Sequence, residues 1–335
     1  MRNEYRGIDY FRFVSAILVI TIHTSPLLSY QPYADFILTR IIARVAVPFF
    51  LMTTGFFLFK NLETTLEKMK VFTKKMAVLY GIFIVIYLPV NWYMGDLHGK
   101  GLGKRIVEDI FFQGTMYHLW YFPATILGVW VVYFLLKRLG KRRMFFVGGV
   151  LYVIGLFGDS YYGLTEGIPL LKNMYQFIFS LFGYTRNGLF YVPVFIMLGA
   201  WLSEEKTVKK WKIVTGMAVS LGGMIAEGVI LHTFDMQRHD SMYILLLPCM
   251  VCLFQLLLFW KGKRNRHLGK VALCIYVIHP LVIIGVRGVA KVLHLENLFV
   301  ENSLCNFLIV TLVSVAASIC IHMERRKKDE SVAGN

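Results

Sequence analysis

The chain has 335 residues, 57% of them hydrophobic before its 28 glycines are counted and only 17% charged, against about 45–50% apolar with glycine included and about 25% charged in soluble domains. Such a chain cannot cover its apolar surface with polar groups, which excludes a water-soluble enzyme, a disordered segment and a nucleic-acid-binding module. The formal charge of +16 reads instead as a topology signal with some attraction to anionic lipid.

Roughly 20 mostly apolar residues cross about 30 Å of hydrocarbon. In chain order the runs that qualify are 11–28, 41–59, 76–93, 119–136, 144–157, 189–202, 213–231, 242–260, 271–286 and 304–321. The expected fold class is therefore an all-α integral membrane bundle of about ten transmembrane helices. The first run is interrupted by Arg12 and is followed by no small-residue cleavage site, so no cleavable signal peptide is expected. The fifth and sixth runs are short. Between them 174–182 is also apolar, broken from the sixth by Thr185, Arg186, Asn187 and Gly188, so it reads as a re-entrant or interfacial helix or as an extension of run six. Lysine and arginine set the orientation, since positive loops stay cytoplasmic. Of 36, 25 fall in the two ends and alternate connections (60–75, 137–143, 206–212, 261–270), nine fall in the other set, and Arg12 and Arg44 lie within runs. Both termini are thus expected in the cytoplasm. The polar tail 323–335 reads as a frayed end or as a linker to a soluble domain. The five cysteines all lie in apolar stretches and form no disulfide framework; Cys249 and Cys252, spaced C-x-x-C on a membrane helix, read as core thiols.

Ionisable residues inside membrane runs are costly and mark function by default. Arg12 and His23 share the first run, with His23 about 16 Å deeper. Arg12 can snorkel to the surface; His23 cannot, and is either a helix-bridging imidazole or a working one. Arg44 opens the second run, where Pro48 and Gly55 suggest a bent or unwound helix. His118, Trp120 and Tyr121 begin the fourth run, and Tyr117 and Tyr121 suit interfacial anchoring. Tyr184, Arg186 and Asn187 are candidates for anion or substrate contact. Glu227 sits midway in the seventh run, and Tyr276, His279 and Pro280 mark the ninth. The polar residues Arg12, His23, Arg44, Trp120 and Glu227 are expected to converge on one tunnel, because facing lipid would cost several kcal/mol each.

These residues carry a resemblance. Arg6-Gly7-Ile8-Asp9-Tyr10-Phe11-Arg12, ten further residues and then His23 resembles the first-helix pattern of acyltransferase family 3, the integral-membrane O-acyltransferases. Arg44-Val45-Ala46-Val47-Pro48-Phe49-Phe50 through Gly55-Phe56 is similar to the family's second-helix motif, with Thr53-Thr54 where serine often precedes the glycine. His118-x-Trp120, Arg186 with Gly199, and Tyr276-x-x-His279-Pro280 follow in the expected order. The opening looks most like the membrane half of VanT-type serine racemases of vancomycin resistance. That resemblance implies a domain over 1–322 in a bacterial cell membrane. It also implies a fused cytoplasmic racemase domain, to which pyridoxal phosphate would belong. No α/β barrel pattern occurs in this chain, so it is not expected to racemise anything by itself.

Two functions follow as expectations, with a plain membrane anchor as a third. In an acyltransferase, by resemblance, cytoplasmic acyl-CoA is the donor. His23 takes the hydroxyl proton of a small acceptor or carries the acyl group, Glu227 orients it, Arg12 and Arg44 meet the donor's phosphates, and His118, Trp120, Arg186, Tyr276 and His279 line the substrate path. In a transporter, the same residues handle serine for the racemase. No metal ligand set is expected.

Overall fold

The computed structural model describes residues 5–61, 63–99, 101–204, 208–263 and 265–333, with the backbone alone for Arg266 and 325–333. Of the basic residues that set the orientation, Arg2, Lys100, Lys206 and Arg264 lie outside the described residues, as do the side chains of Arg266 and of 325–328.

Among the described residues all regular structure is helical, without a strand. The helices are α1 Arg6–Thr24, α2 Pro32–Phe36, α3 Ala46–Leu58, α4 Thr65–Met94, α5 Leu102–Glu108, α6 Tyr121–Phe157, α7 Gly163–Glu166, α8 Pro169–Phe182, α9 Val192–Leu202, α10 Lys210–Thr233, α11 Leu246–Phe259, α12 Arg266–Val292 and α13 Ser303–Ala333. Seven stretches among the described residues are long and apolar enough to cross a membrane: Arg6–Thr24, Pro32–Leu58, Thr65–Met94, Tyr121–Phe157, Lys210–Thr233, His267–Val292 and Ser303–Glu324; α9 and α11 are shorter apolar helices. Val85, Tyr93, Phe146, Val219 and Leu312 are among the many large apolar side chains that stay exposed. Apolar surface on this scale needs lipid as its solvent. The chain is a multi-pass membrane protein.

Three local outcomes differ from, or sharpen, the sequence expectations. First, the irregularity of the second run falls ahead of Pro48, in a π turn at Ile37–Ile41 and a 3₁₀ turn at Ile42–Val45. Pro48 occupies the first turn of α3, where a missing N–H is tolerated. Second, α6 is 37 residues long but leaves helical geometry at Gly140 (φ 74°, ψ 170°), amid Lys137, Arg138, Lys141, Arg142 and Arg143. Glycine alone enters that region at low cost. Third, α13 runs on through the polar tail to Ala333, where a frayed end or linker was expected. No glycine or proline interrupts 303–333, so nothing stops the helix. The 174–182 segment belongs to a helix of its own, α8, closed by Gly183 at φ 70°.

The chain divides into two compact units, one of Met1–Phe50, Lys210–Leu221 and Cys252–Asn335, the other of Leu51–Lys209 and Gly222–Val251. In the first, α1, α12 and α13 bury Ala16, Ile20, Ala272, Ile275, Ile283 and Val310 together. The start of α1 is sealed onto the end of α11. Gly7 donates its N–H to the Trp260 carbonyl at 3.0 Å, and a Cβ there would meet Leu257 O at 2.3 Å. In the second unit α6 packs on α9, with the Tyr152 ring edge-on to Phe195 at 5.9 Å. Gly55 of α3 faces Ile196 O, and Gly199 of α9 faces Met52 O, each 2.0 Å from where a Cβ would stand. Backbone touches backbone at that crossing, as small residues permit between membrane helices.

Candidate functional site

In the first unit, Arg12 and His23 lie eleven residues apart on α1. That is about three turns, so they share one face. Both look onto α12. The Arg12 guanidinium occupies the space left by Gly269, with Nη1 3.0 Å from where a Cβ would be. The His23 ring stacks on His279, centroids 5.3 Å apart and planes 22° apart. Position 12 meets 269 and position 23 meets 279, so α1 and α12 run parallel. One end of their contact carries a cation, the other two imidazoles. Buried Asp9 holds Arg12 at 3.1 Å. This partner is visible in the sequence only as an i,i+3 spacing that the charge count passes over.

His279 is fully buried, and its Nδ1 stands 2.8 Å from the Tyr276 carbonyl. A carbonyl only accepts, so Nδ1 carries the proton and the neutral ring keeps its lone pair on Nε2. Tyr276 itself packs edge-on to Phe50 at 6.4 Å. Arg44 is buried in the 3₁₀ turn, which packs on α1. Phe49, in the following turn, meets Phe11 at 4.7 Å and Phe254 at 5.8 Å.

The second unit gathers a different set. A cavity of about 190 Å³ is lined by Asp109, Gln113, Tyr117, Trp120, Tyr184 and Arg186, with Phe112, Gly114 and Phe182. The Arg186 guanidinium lies over the Trp120 ring at 4.6 Å and donates to Ser241 Oγ at 3.3 Å. Two glycines shape this wall. Gly114 (φ 82°) would drive a Cβ into Trp120 N at 2.3 Å, and Gly183 (φ 70°) leaves room for the Gln113 amide. Asn187 fixes the turn ahead of α9, its Oδ1 accepting from Leu189 N and Phe190 N and its Nδ2 donating to Tyr184 O. Behind Arg186, fully buried Asp159 accepts from Ser241 N at 2.7 Å and Met242 N at 3.0 Å through Oδ1. Burial pushes its carboxyl up, opposed by the Ser241 amide and the Arg186 charge. His118 is buried nearby in sequence, its ring against Tyr87 at 5.1 Å.

Glu227, in the same unit, does not line that cavity. Its Oε1 accepts from Tyr161 Oη at 2.8 Å and Ile244 N at 2.6 Å, and its Oε2 from Leu245 N at 2.9 Å. It caps the entry to α11. Of the residues expected to share one tunnel, Arg12, His23 and Arg44 belong to the first unit and Trp120 and Glu227 to the second. Arg12 and His23 mark opposite ends of one helix face, while Trp120 and Glu227 serve separate places. Sequence reading missed Asp109, Gln113 and Asp159, which lie in connections where no periodicity singles them out.

The acyltransferase domain of family 3 matches residues 5–323. The chain belongs to the acyltransferase-3 family. Among curated proteins it is 43% identical to an amino-acid racemase of Enterococcus faecalis over 96% of this chain and 45% of that protein. It is 37% identical to a second amino-acid racemase of the same species, over 97% and 47%. To a serine/alanine racemase of Enterococcus gallinarum it is 33% identical, again over 97% and 47%. The chain thus spans a little under half the length of these relatives. No solved structure matches it.

Proposed function

We propose that this acyltransferase-3 chain transfers an acyl group from cytoplasmic acyl-CoA to a small hydroxyl-bearing acceptor, as the membrane half of a VanT-type racemase. The observation that carries the reading is the stacked His23–His279 pair at the end of the α1–α12 contact. Two imidazoles enclosed by apolar helices have little structural reason to be there, whereas proton transfer needs such groups. His23 takes the acceptor's hydroxyl proton as the oxygen attacks the thioester carbonyl. When the tetrahedral intermediate collapses, the coenzyme A thiolate leaves and receives that proton back from the imidazolium. His279, its Nδ1–H fixed on Tyr276, offers Nε2 as an acceptor beside the acting ring. Arg12 and Arg44 serve the donor's phosphates, Arg12 exchanging Asp9 for them in part. Glu227 enters as a strut of the second unit. Racemisation belongs to the remaining length of the longer relatives, where an α/β domain would hold pyridoxal phosphate.

A second reading, supply of serine to a racemase, is favoured by the relatives' names and by a polar cavity too small for coenzyme A. The test is turnover of radiolabelled acetyl-CoA by the purified chain with serine as acceptor. Acyl transfer is expected, falling about 10²–10⁴-fold in His23→Ala with acetyl-CoA binding retained. Wild-type protein that binds serine yet neither binds nor consumes acetyl-CoA would replace the first reading with the second.

A further inference from the structure

The cavity of the second unit has a composition that neither donor nor lipid explains. Its volume of about 190 Å³ is roughly six times the share of one liquid water, below the range of about 300–1,000 Å³ usual for drug-sized ligands. Coenzyme A cannot enter, and an acyl chain would find a guanidinium and a carboxylate among the walls. A molecule of about six to eight heavy atoms fills it.

The polar groups are of opposite sign. Arg186 stands on the Trp120 ring at 4.6 Å, anchored through Ser241 Oγ. Its planar guanidinium fork matches the geometry of a carboxylate. The same cavity is lined by Asp109, half-buried, its carboxyl held above the usual range chiefly by that burial. A free anion such as phosphate would meet Arg186 but be repelled by Asp109; a simple amine would meet the reverse. We infer that this cavity is a binding site for a small amino-acid zwitterion, its carboxylate on Arg186 and its ammonium directed to Asp109. This deepens the serine-handling reading and rests on it, while standing apart from acyl transfer.

The experiment measures equilibrium binding of radiolabelled L-serine to the purified chain, without acyl-CoA, in competition with glycerate, which lacks the ammonium, and ethanolamine, which lacks the carboxylate. Serine is expected to bind saturably, with each competitor at least about tenfold weaker, the loss that one charged hydrogen bond implies. Arg186→Gln should weaken serine and glycerate alike. Asp109→Asn should weaken serine about tenfold and, by removing the repulsion, tighten glycerate. Wild-type protein without saturable serine binding, or one on which serine, glycerate and ethanolamine compete equally, overturns the inference; this ligand series needs no variant to fold. Acetyl-CoA turnover by the same preparation is scored separately, so failure of one reading is not mistaken for failure of the other.

Discussion

Asp159 shows how one carboxylate ties together two connections between helices, the one after α6 and the one before α11. Its Oδ1 accepts from Ser160 Oγ, Ser241 N and Met242 N, while Oδ2 has no hydrogen-bond partner among the described residues. Because burial raises its folded pKa, the folded protein holds this proton more tightly than the unfolded chain. Stability from this group is therefore greatest below the ordinary aspartate range, about 3.9, and declines as pH rises through the raised value. Asp159→Asn keeps the Oδ1 acceptor and removes the charge, so its melting temperature in detergent should lose that decline and match or exceed the parent near neutrality. Asp159→Ala should lower it at every pH by removing the acceptor for two buried amides, at about 1–3 kcal/mol. A parent melting temperature that rises across pH 4 to 8 while Asp159→Asn stays flat would refute the sign. In the sequence Arg186 stood out as a candidate for anion or substrate contact, because a cation beside a membrane run is conspicuous. Asp159 was not, since its partners lie some 80 residues away and become neighbours only through the fold.

Among the elements, the run Pro32–Leu58 separates what pattern can and cannot announce. Its apolar length and its departure from regular helix were legible. The place of the distortion was not, because π and 3₁₀ turns arise from packing and leave no single-residue signature. The Gly55–Gly199 crossing was half legible. Each glycine falls in a family-like motif, yet only the structure shows them to be the two sides of one close approach, with Ile196 O and Met52 O filling the space a Cβ would need. Main-chain atoms cannot swing aside as a long side chain can. Gly55→Ala or Gly199→Ala should therefore destabilise by about 1–3 kcal/mol or more through overpacking. The double variant should cost less than the sum, because one helix separation relieves both clashes. Gly81→Ala, with nothing within 4 Å of its added carbon, should be neutral or gain up to about 1 kcal/mol in helix propensity. Thermal unfolding of the four variants measures this; equal effects at Gly55 and Gly81 would defeat the packing account.

At the scale of the whole molecule, the parallel run of α1 and α12 constrains topology. Two parallel spanning helices must be separated by an odd number of crossings. If Pro32–Leu58, α4, α9, α10 and α11 each cross once they supply five, and an α6 that crosses twice, turning back at Gly140, keeps the number odd. The side-chain contacts of the second unit sort its connections the same way. Those assigned outside by the lysine and arginine count meet one another, with Asp109, Tyr184 and Arg186 around one cavity and Arg238 donating to Gly183 O at 3.2 Å. Of those the same count assigns inside, Lys141, just past the Gly140 break, pairs with Glu204 beyond the end of α9. We propose ten crossings with both ends cytoplasmic, the count of the apolar runs in the sequence, where helix length alone merges the halves of α6 and gives seven long spans among the described residues. Two positions flanking the second half of α6 decide it. Lys141→Cys and Gly167→Cys, each in a background with the five native cysteines replaced, should respond oppositely to a membrane-impermeant maleimide applied to intact cells. Position 167, where an added carbon meets nothing within 4 Å, should label at once. Position 141 should label only after the membrane is opened. The reverse pattern would invert the orientation, and labelling of both from outside would mean that α6 crosses once, against the parallel pairing of α1 and α12.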